Sequence, residues 1–210
     1  MEIFLFAFAA LFSVINPLGT VPVFVGLTQN ESLAERAKTS LLTSINVVVI
    51  LLIAFFVGNY ILKFFNISLD SLRIAGGLII TSSGFALLTG SFVKHKGLKN
   101  KRVQKDLDKR ERFSLTPLAI PMLAGPGSIS LLISYRELHE SILNITAIIA
   151  AVFAVGLATY LILRSSFLIV KFMGASGINA ISRIIGFIVI AIGIEYISVA
   201  IVSIVSEVLG

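Results

Sequence analysis

Apolar residues run along this chain in six long blocks, at about 4–25, 41–62, 72–92, 114–134, 144–163 and 182–203, separated by polar connectors. Each block is close to the roughly 20 residues that carry a helix across a hydrocarbon core. The pattern predicts an all-α membrane protein with six transmembrane helices. Two blocks are interrupted near their middles. Asn16-Pro17-Leu18-Gly19 breaks the first, and Gly125-Pro126-Gly127-Ser128 breaks the fourth, with Pro17 and Pro126 109 residues apart in a chain of 210. Helix-breaking residues at membrane depth are tolerated only where the freed backbone groups are buried in protein or line a cavity. Helices one and four are therefore expected to be discontinuous.

The 109-residue offset recurs. Gly77, Gly84 and Ser91 repeat every seven residues in the third block, and Gly186, Gly193 and Ala200 do so in the sixth. Seven residues are nearly two helical turns, so each trio forms a small-residue stripe along which membrane helices can approach closely. The stripes could pack within one subunit or between subunits, so a homo-oligomer stays open. Spans two and five share no such match. Each half holds three spans, an odd number, so the second half must enter the membrane from the opposite side. The expected plan is two inverted-topology three-helix repeats, residues 1–92 and 113–210, joined by a connector at 93–112. Paired breaks in two such halves point to a transporter's binding site.

Composition supports the membrane assignment: 57% of residues are apolar, mean hydropathy is +1.01 and 13% are charged, against about 25% charged in an average soluble domain. Nine of the seventeen Lys and Arg residues lie between Val93 and Arg112. With six spans this connector shares a side with Arg36, Lys38, Arg164, Lys171 and Arg183, leaving only Lys63, Arg73 and Arg136 opposite. The rich side is expected to be cytoplasmic, with both termini outside the cytoplasm. A basic loop against anionic headgroups accounts for the charge more simply than a nucleic-acid patch does, so lipid is the expected partner and nucleic acid is not. The start, Met1-Glu2-Ile3-Phe4, lacks the basic region of a cleaved signal peptide, so the first helix is expected to be retained.

The breaks also suggest chemistry. Pro17 cannot donate a backbone hydrogen bond and disfavours helical geometry at Asn16. Gly19 frees the chain, and Thr20 is expected to cap a new half-helix, with Pro22 in its first turn. In the second break Pro121 and Pro126 interrupt, Gly125 and Gly127 loosen, and Ser128 is expected to cap. Helix N-termini carry free N–H groups and about half a positive charge, which suits a carboxylate. Exposed carbonyls, with the Asn16 amide, could receive an ammonium group. The glycines leave little room for a large substituent. A small zwitterion such as glycine or alanine fits. Asn46 is a further candidate because an amide has four bonding sites to satisfy. Thr81, Ser82 and Ser83 are expected to bond back to their own helix. Glu195 is the only acid deep within a span; burial there would raise its pKa and suit it to carry a coupled proton. Coupling to protons or sodium is otherwise unassigned.

No catalytic residues and no cofactor are indicated. Gly-x-Ser-x-Gly, His-Glu-x-x-His and phosphate-loop signatures are absent. There is no cysteine, and His95 and His139 lie in separate loops, which offers no shared metal site. The segments Phe12-Ser-Val-Ile-Asn-Pro-Leu-Gly-Thr-Val-Pro-Val-Phe24 and Thr116-Pro-Leu-Ala-Ile-Pro-Met-Leu-Ala-Gly-Pro-Gly-Ser-Ile129 resemble the two hallmark segments of the MarC family. The resemblance implies a six-span inner-membrane protein of the LysE-type exporter superfamily. Members of its SnatA branch are associated with transport of small neutral amino acids. It carries Asn16, Pro17, Gly19, Gly125, Pro126, Gly127 and Ser128 over as motif positions. At position 195 it implies a polar, commonly uncharged residue, usually glutamine, so Glu195 departs from the pattern. The leading expectation is a secondary transporter, an exporter of glycine and alanine. Export of another small metabolite or drug, as in antibiotic-resistance efflux, and a non-transporting membrane scaffold are the alternatives.

Overall fold

The computed structural model describes residues 2–89 and 123–209, and all their regular structure is helical. Seven helices follow in order among them: α1 (Glu2–Ile15), α2 (Pro17–Thr28), α3 (Leu33–Phe64), α4 (Leu69–Thr89), α5 (Pro126–Leu138), α6 (Ile142–Arg164) and α7 (Ser166–Leu209). Among the described residues, five stretches are long and apolar enough to cross a membrane: Glu2–Thr28, Leu33–Phe64, Leu69–Thr89, Ile142–Arg164 and Ser176–Leu209. Of the expected fourth span only the end, α5, is described. The basic connector, Ser91 and Pro121 lie outside the described residues.

Local chemistry sets the boundaries. Ser32 and Glu35 form a reciprocal capping box that starts α3 eight residues before the apolar run does. At about 1.5 Å per residue, its 32 residues reach roughly 48 Å, so α3 projects beyond the hydrocarbon or tilts within it. Asn66, with φ at 52°, turns the chain between α3 and α4. Within α7, Gly174 adopts φ 64° and ψ 173°, a conformation essentially reserved for glycine. It separates a short segment, Ser166–Met173, from the long apolar helix.

The most extensive helix pair is α4 with α7, and the two glycine stripes meet there. A methyl group added at Gly77 would lie 2.6 Å from the Gly193 carbonyl oxygen, and one at Gly84 would lie 2.7 Å from that of Gly186. The numbering runs in opposite senses, so the helices are antiparallel. The stripes therefore pack against each other within one chain. Apolar solvent gives helices no hydrophobic reason to associate, so close backbone approach of this kind supplies the attraction.

A second layer joins α3 to α6, with α1 against α6 and α5 against α3 and α4. Leu11, Phe24, Leu51, Phe55, Leu131 and Leu132 are fully buried at its centre. The outward face carries exposed Phe6, Tyr60, Phe153 and Phe187, a surface suited to acyl chains rather than water.

Candidate solute-binding site

The first break is built by one residue. Asn16 takes the left-handed conformation (φ 44°, ψ 65°), and its backbone N–H closes the last turn of α1 on the Phe12 carbonyl at 2.9 Å. Its side-chain Oδ1 then accepts the Gly19 N–H at 3.1 Å, so Asn16 itself caps α2. Pro17 follows at the first helical position, where its missing N–H costs nothing. Gly19 is required because a Cβ there would collide with the Asn16 amide. The cap expected at Thr20 is therefore misplaced. Thr20 lies one turn inside α2, donating its hydroxyl to the Asn16 carbonyl at 3.3 Å, and Pro22 sits well within the helix.

The second break uses different chemistry. Gly125 is extended (φ −81°, ψ 174°) and precedes Pro126, the first residue of α5. No side chain caps this helix. Ser128, expected as the cap, lies in the first turn and donates its hydroxyl back to the Gly125 carbonyl at 2.9 Å. Among the described residues, the Gly127 and Ser128 N–H groups have neither an intrahelical partner nor a side-chain cap.

The two breaks share one cleft. Asn16 and Thr20 line it from α1 and α2, and Gly125, Pro126, Gly127 and Ser128 from the start of α5. Val14, Ile15, Ile79, Ile80, Ser83, Leu87 and Leu123 complete the wall, enclosing about 80 Å³. That is room for several waters and far below the roughly 300–1,000 Å³ of drug-sized pockets. Among the described residues that line it, none is charged. Asn16 is only 4% exposed, and its Nδ2 is buried without a partner. An orphaned donor of this kind costs about 1–3 kcal/mol until an acceptor reaches it. Oδ1 keeps a second lone pair beside the bond from the Gly19 N–H, so the Asn16 side chain retains both an acceptor and an unpartnered donor.

Residues 1–205 match the MarC family of integral membrane proteins. The chain belongs to that family. It is 37% identical over 201 residues to a membrane protein of Buchnera aphidicola from Acyrthosiphon pisum, covering 96% of this chain and 93% of the relative. It is 36% identical to the membrane protein YhcE of Escherichia coli K12 over 190 residues, 90% and 87% of the two chains. It is 35% identical to the inner membrane protein MarC of Citrobacter koseri over 190 residues, 87% and 86%. These names record a membrane location and no activity. No solved structure matches.

Other candidates in this MarC-family chain fall elsewhere. Pro17 and Gly19 are buried behind the cleft rather than in its wall, and Asn46 is half-buried on α3, away from it. Glu195 is exposed on α7 and does not line the cleft. Ser83, set aside as structural, does donate to its own helix, at Ile79 O, 2.9 Å away, yet it also borders the cleft.

Sequence reasoning missed a polar clasp outside the cleft. Arg73 is 7% exposed, pairs with Asp70 at 3.0 Å and donates from Nε to the Ser134 hydroxyl on α5 at 3.1 Å. Ser203 of α7 donates to the other oxygen of Asp70 at 2.9 Å. The signal available was an acid and a base three residues apart at the edge of an apolar run.

Proposed function

We propose that this MarC-family chain is a secondary transporter that exports small neutral amino acids such as glycine and alanine across the inner membrane. The observation that carries the reading is the single small cleft onto which both helix breaks open. It offers donors from the α5 N-terminus, and the hydroxyl oxygens of Thr20, Ser83 and Ser128 keep lone pairs after donating to backbone carbonyls. Donors for a carboxylate and acceptors for an ammonium group thus border one space. The family resemblance supports the amino-acid class and the outward direction. The small volume disfavours drug efflux.

An inverted repeat would supply the motion. Adding 109 to Gly77 gives Gly186, and adding it to Gly84 gives Gly193. The Gly77–Gly193 approach therefore maps onto Gly186–Gly84, and both contacts occur. The Gly84–Ile190 contact maps in the same way onto Gly193–Thr81. Such a relation supports a pseudo-two-fold axis through the α4–α7 pair, with residues 1–92 and 113–210 as the halves that rock around the cleft. The basic connector, with the positive-inside rule, supports a cytoplasmic 93–112 side with both termini opposite.

Radiolabelled glycine and alanine flux in proteoliposomes tests the proposal. Saturable flux, competed by unlabelled glycine, is the expected result. Flux no greater than in empty liposomes at several pH values and sodium levels would overturn it.

A further inference from the structure

A groove of about 360 Å³ opens on the outward surface between α3 and α6. Exposed Leu41, Ile45 and Val49 of α3 face exposed Phe153 and Leu157 of α6 across it. The two helices meet closely at its floor, where a methyl group on Gly156 would collide with Val48. They run antiparallel: Asn59 of α3 reaches Glu137 just before α6 begins, and Arg36 stacks on Phe167 just after α6 ends. The groove therefore ends, on the Leu41 and Tyr160 side, at the level of Lys38 and Arg164. Lys38 lies seven residues before Ile45, and Arg164 seven after Leu157. Seven residues are nearly two turns, so each cation stands on the helix face that forms a wall. Both are exposed, and neither pairs with an acid among the described residues. The nearby carboxylates are engaged elsewhere, Glu31 with Thr39 and Glu35 in the Ser32 cap. Arg164 donates to the Tyr160 hydroxyl, which gives this end of the groove the amphipathic character of a headgroup region.

We infer that this groove is a lipid site, holding one acyl chain of an anionic phospholipid whose phosphate is met by Lys38 and Arg164. Its length fits. From Leu41 to Leu52 the wall rises roughly 16 Å, about half of the ~30 Å hydrocarbon core and so the depth of one leaflet. A helix of a second copy would instead follow α3 through both leaflets, and covering the groove would bury two cations without partners. On the proposed topology the basic end lies in the cytoplasmic leaflet, where Lys and Arg beside a span attract anionic lipid. The groove shares no lining residue with the solute cleft, so the inference stands whether or not that cleft carries amino acids.

The test titrates the purified full chain in detergent with dioleoylphosphatidylglycerol and with dioleoylphosphatidylethanolamine, read by native mass spectrometry and thermal shift. One phosphatidylglycerol is expected to be retained, at least about tenfold more tightly than the zwitterionic lipid with the same chains. Lys38→Gln combined with Arg164→Gln should weaken phosphatidylglycerol about thirtyfold, two basic residues at an anionic surface contributing about 2 kcal/mol. The zwitterionic lipid should be unaffected. Val49→Trp fills the groove from an outward position and should weaken both lipids by tenfold or more; Leu157→Trp does the same from the other wall. Glycerol phosphate, a headgroup without a tail, should displace neither. Equal affinity for the two lipids would overturn the inference. So would undiminished phosphatidylglycerol binding in the double glutamine variant, or in a tryptophan variant that still melts sharply. The chain has no cysteine, so Ile45→Cys reports on a second copy: efficient disulfide-linked dimers in phosphatidylglycerol vesicles would assign the groove to chain–chain contact and overturn the lipid site.

Discussion

The two short helices that begin at the breaks, α2 and α5, are held in very different ways. Helix α5 is tied to three neighbours by polar groups from its middle to its C-terminal end. Ser134 accepts from Arg73 of α4, Glu137 accepts from Asn59 of α3, and the Leu131 carbonyl accepts from Tyr196 of α7. The side-chain hydrogen bonds described for α2 stay in its own corner. Arg36, at the start of α3, donates to the Thr28 and Gln29 carbonyls at 3.0 and 2.9 Å and lies 3.6 Å from the Phe167 ring centroid. A polar clasp has two discrete states, made or broken, whereas apolar helix faces can slide in small steps. The cleft extends to Leu87, toward the connector end of α4, while the clasp sits around Asp70 and Arg73 at the opposite end. On the proposed topology the clasp lies on the outer side, and α2 is the less firmly held of the two helices.

Breaking the clasp should produce the largest effect. Arg73→Ala leaves the partly buried Asp70 without its cation and Ser134 without its donor. Loss of one partner from a buried pair typically costs about 3–5 kcal/mol; some water reaches Asp70, so about 3 kcal/mol is expected here. Thermal unfolding in detergent would register this as a clearly lowered melting temperature, with Arg73→Lys falling in between because ammonium cannot supply the fork. A melt unchanged in Arg73→Ala would mean that α5 is no better anchored than α2.

Packing sharpens the same contrast. Gly58 of α3 faces α5, and a methyl group there would collide with the Ile133 side chain. Gly26, on α2, has nothing within 4 Å of such a methyl. Overpacking a close contact costs about 1–3 kcal/mol, so Gly58→Ala should destabilise by that order. Gly26→Ala should be neutral or stabilising by about 0.5–1 kcal/mol, through helix propensity. Equal melts for the two variants would remove the distinction between the helices.

Arg36→Ala probes the α2 side directly. It removes two hydrogen bonds to helix-terminal carbonyls and a stacked guanidinium, all half-exposed. The expected cost is about 1–2 kcal/mol, smaller than for Arg73 because water can take over at the freed carbonyls. Limited proteolysis at the α2–α3 corner should accelerate more than the global melt falls.

Much of this arrangement could be read from residue order, and the failures have physical causes. Apolar runs located the helices because membrane spans need little else. The glycine stripes located the α4–α7 seam because a seven-residue spacing stays on one helix face. The cap expected at Thr20 falls one turn late although the signal for the right one is present: Asn before Pro is a strong helix start, and α2 begins at Pro17 rather than after Gly19. The clasp was out of reach because Arg73 and Ser134 lie 61 positions apart, and no local pattern pairs them.

Glu195 shows what helical phase alone decides, and it gives the smallest predicted effect. At about 100° per residue, a side chain two positions after Gly193 points roughly 200° away from the stripe that packs on α4. The exposed position of Glu195 on α7 follows from that geometry. Its carboxyl group therefore meets neither the cleft nor the clasp and lies on the face suited to acyl chains, so Glu195→Gln breaks no contact with either and should leave the melt close to that of the unaltered chain. The same phase argument predicts that the pH profile of glycine flux is unchanged in this variant, since no described element connects the carboxylate to the cleft. A profile displaced by the substitution, with the melt unaltered, would show that the outer face of α7 takes part in transport, and the contrast between α2 and α5 would then miss one of the moving parts.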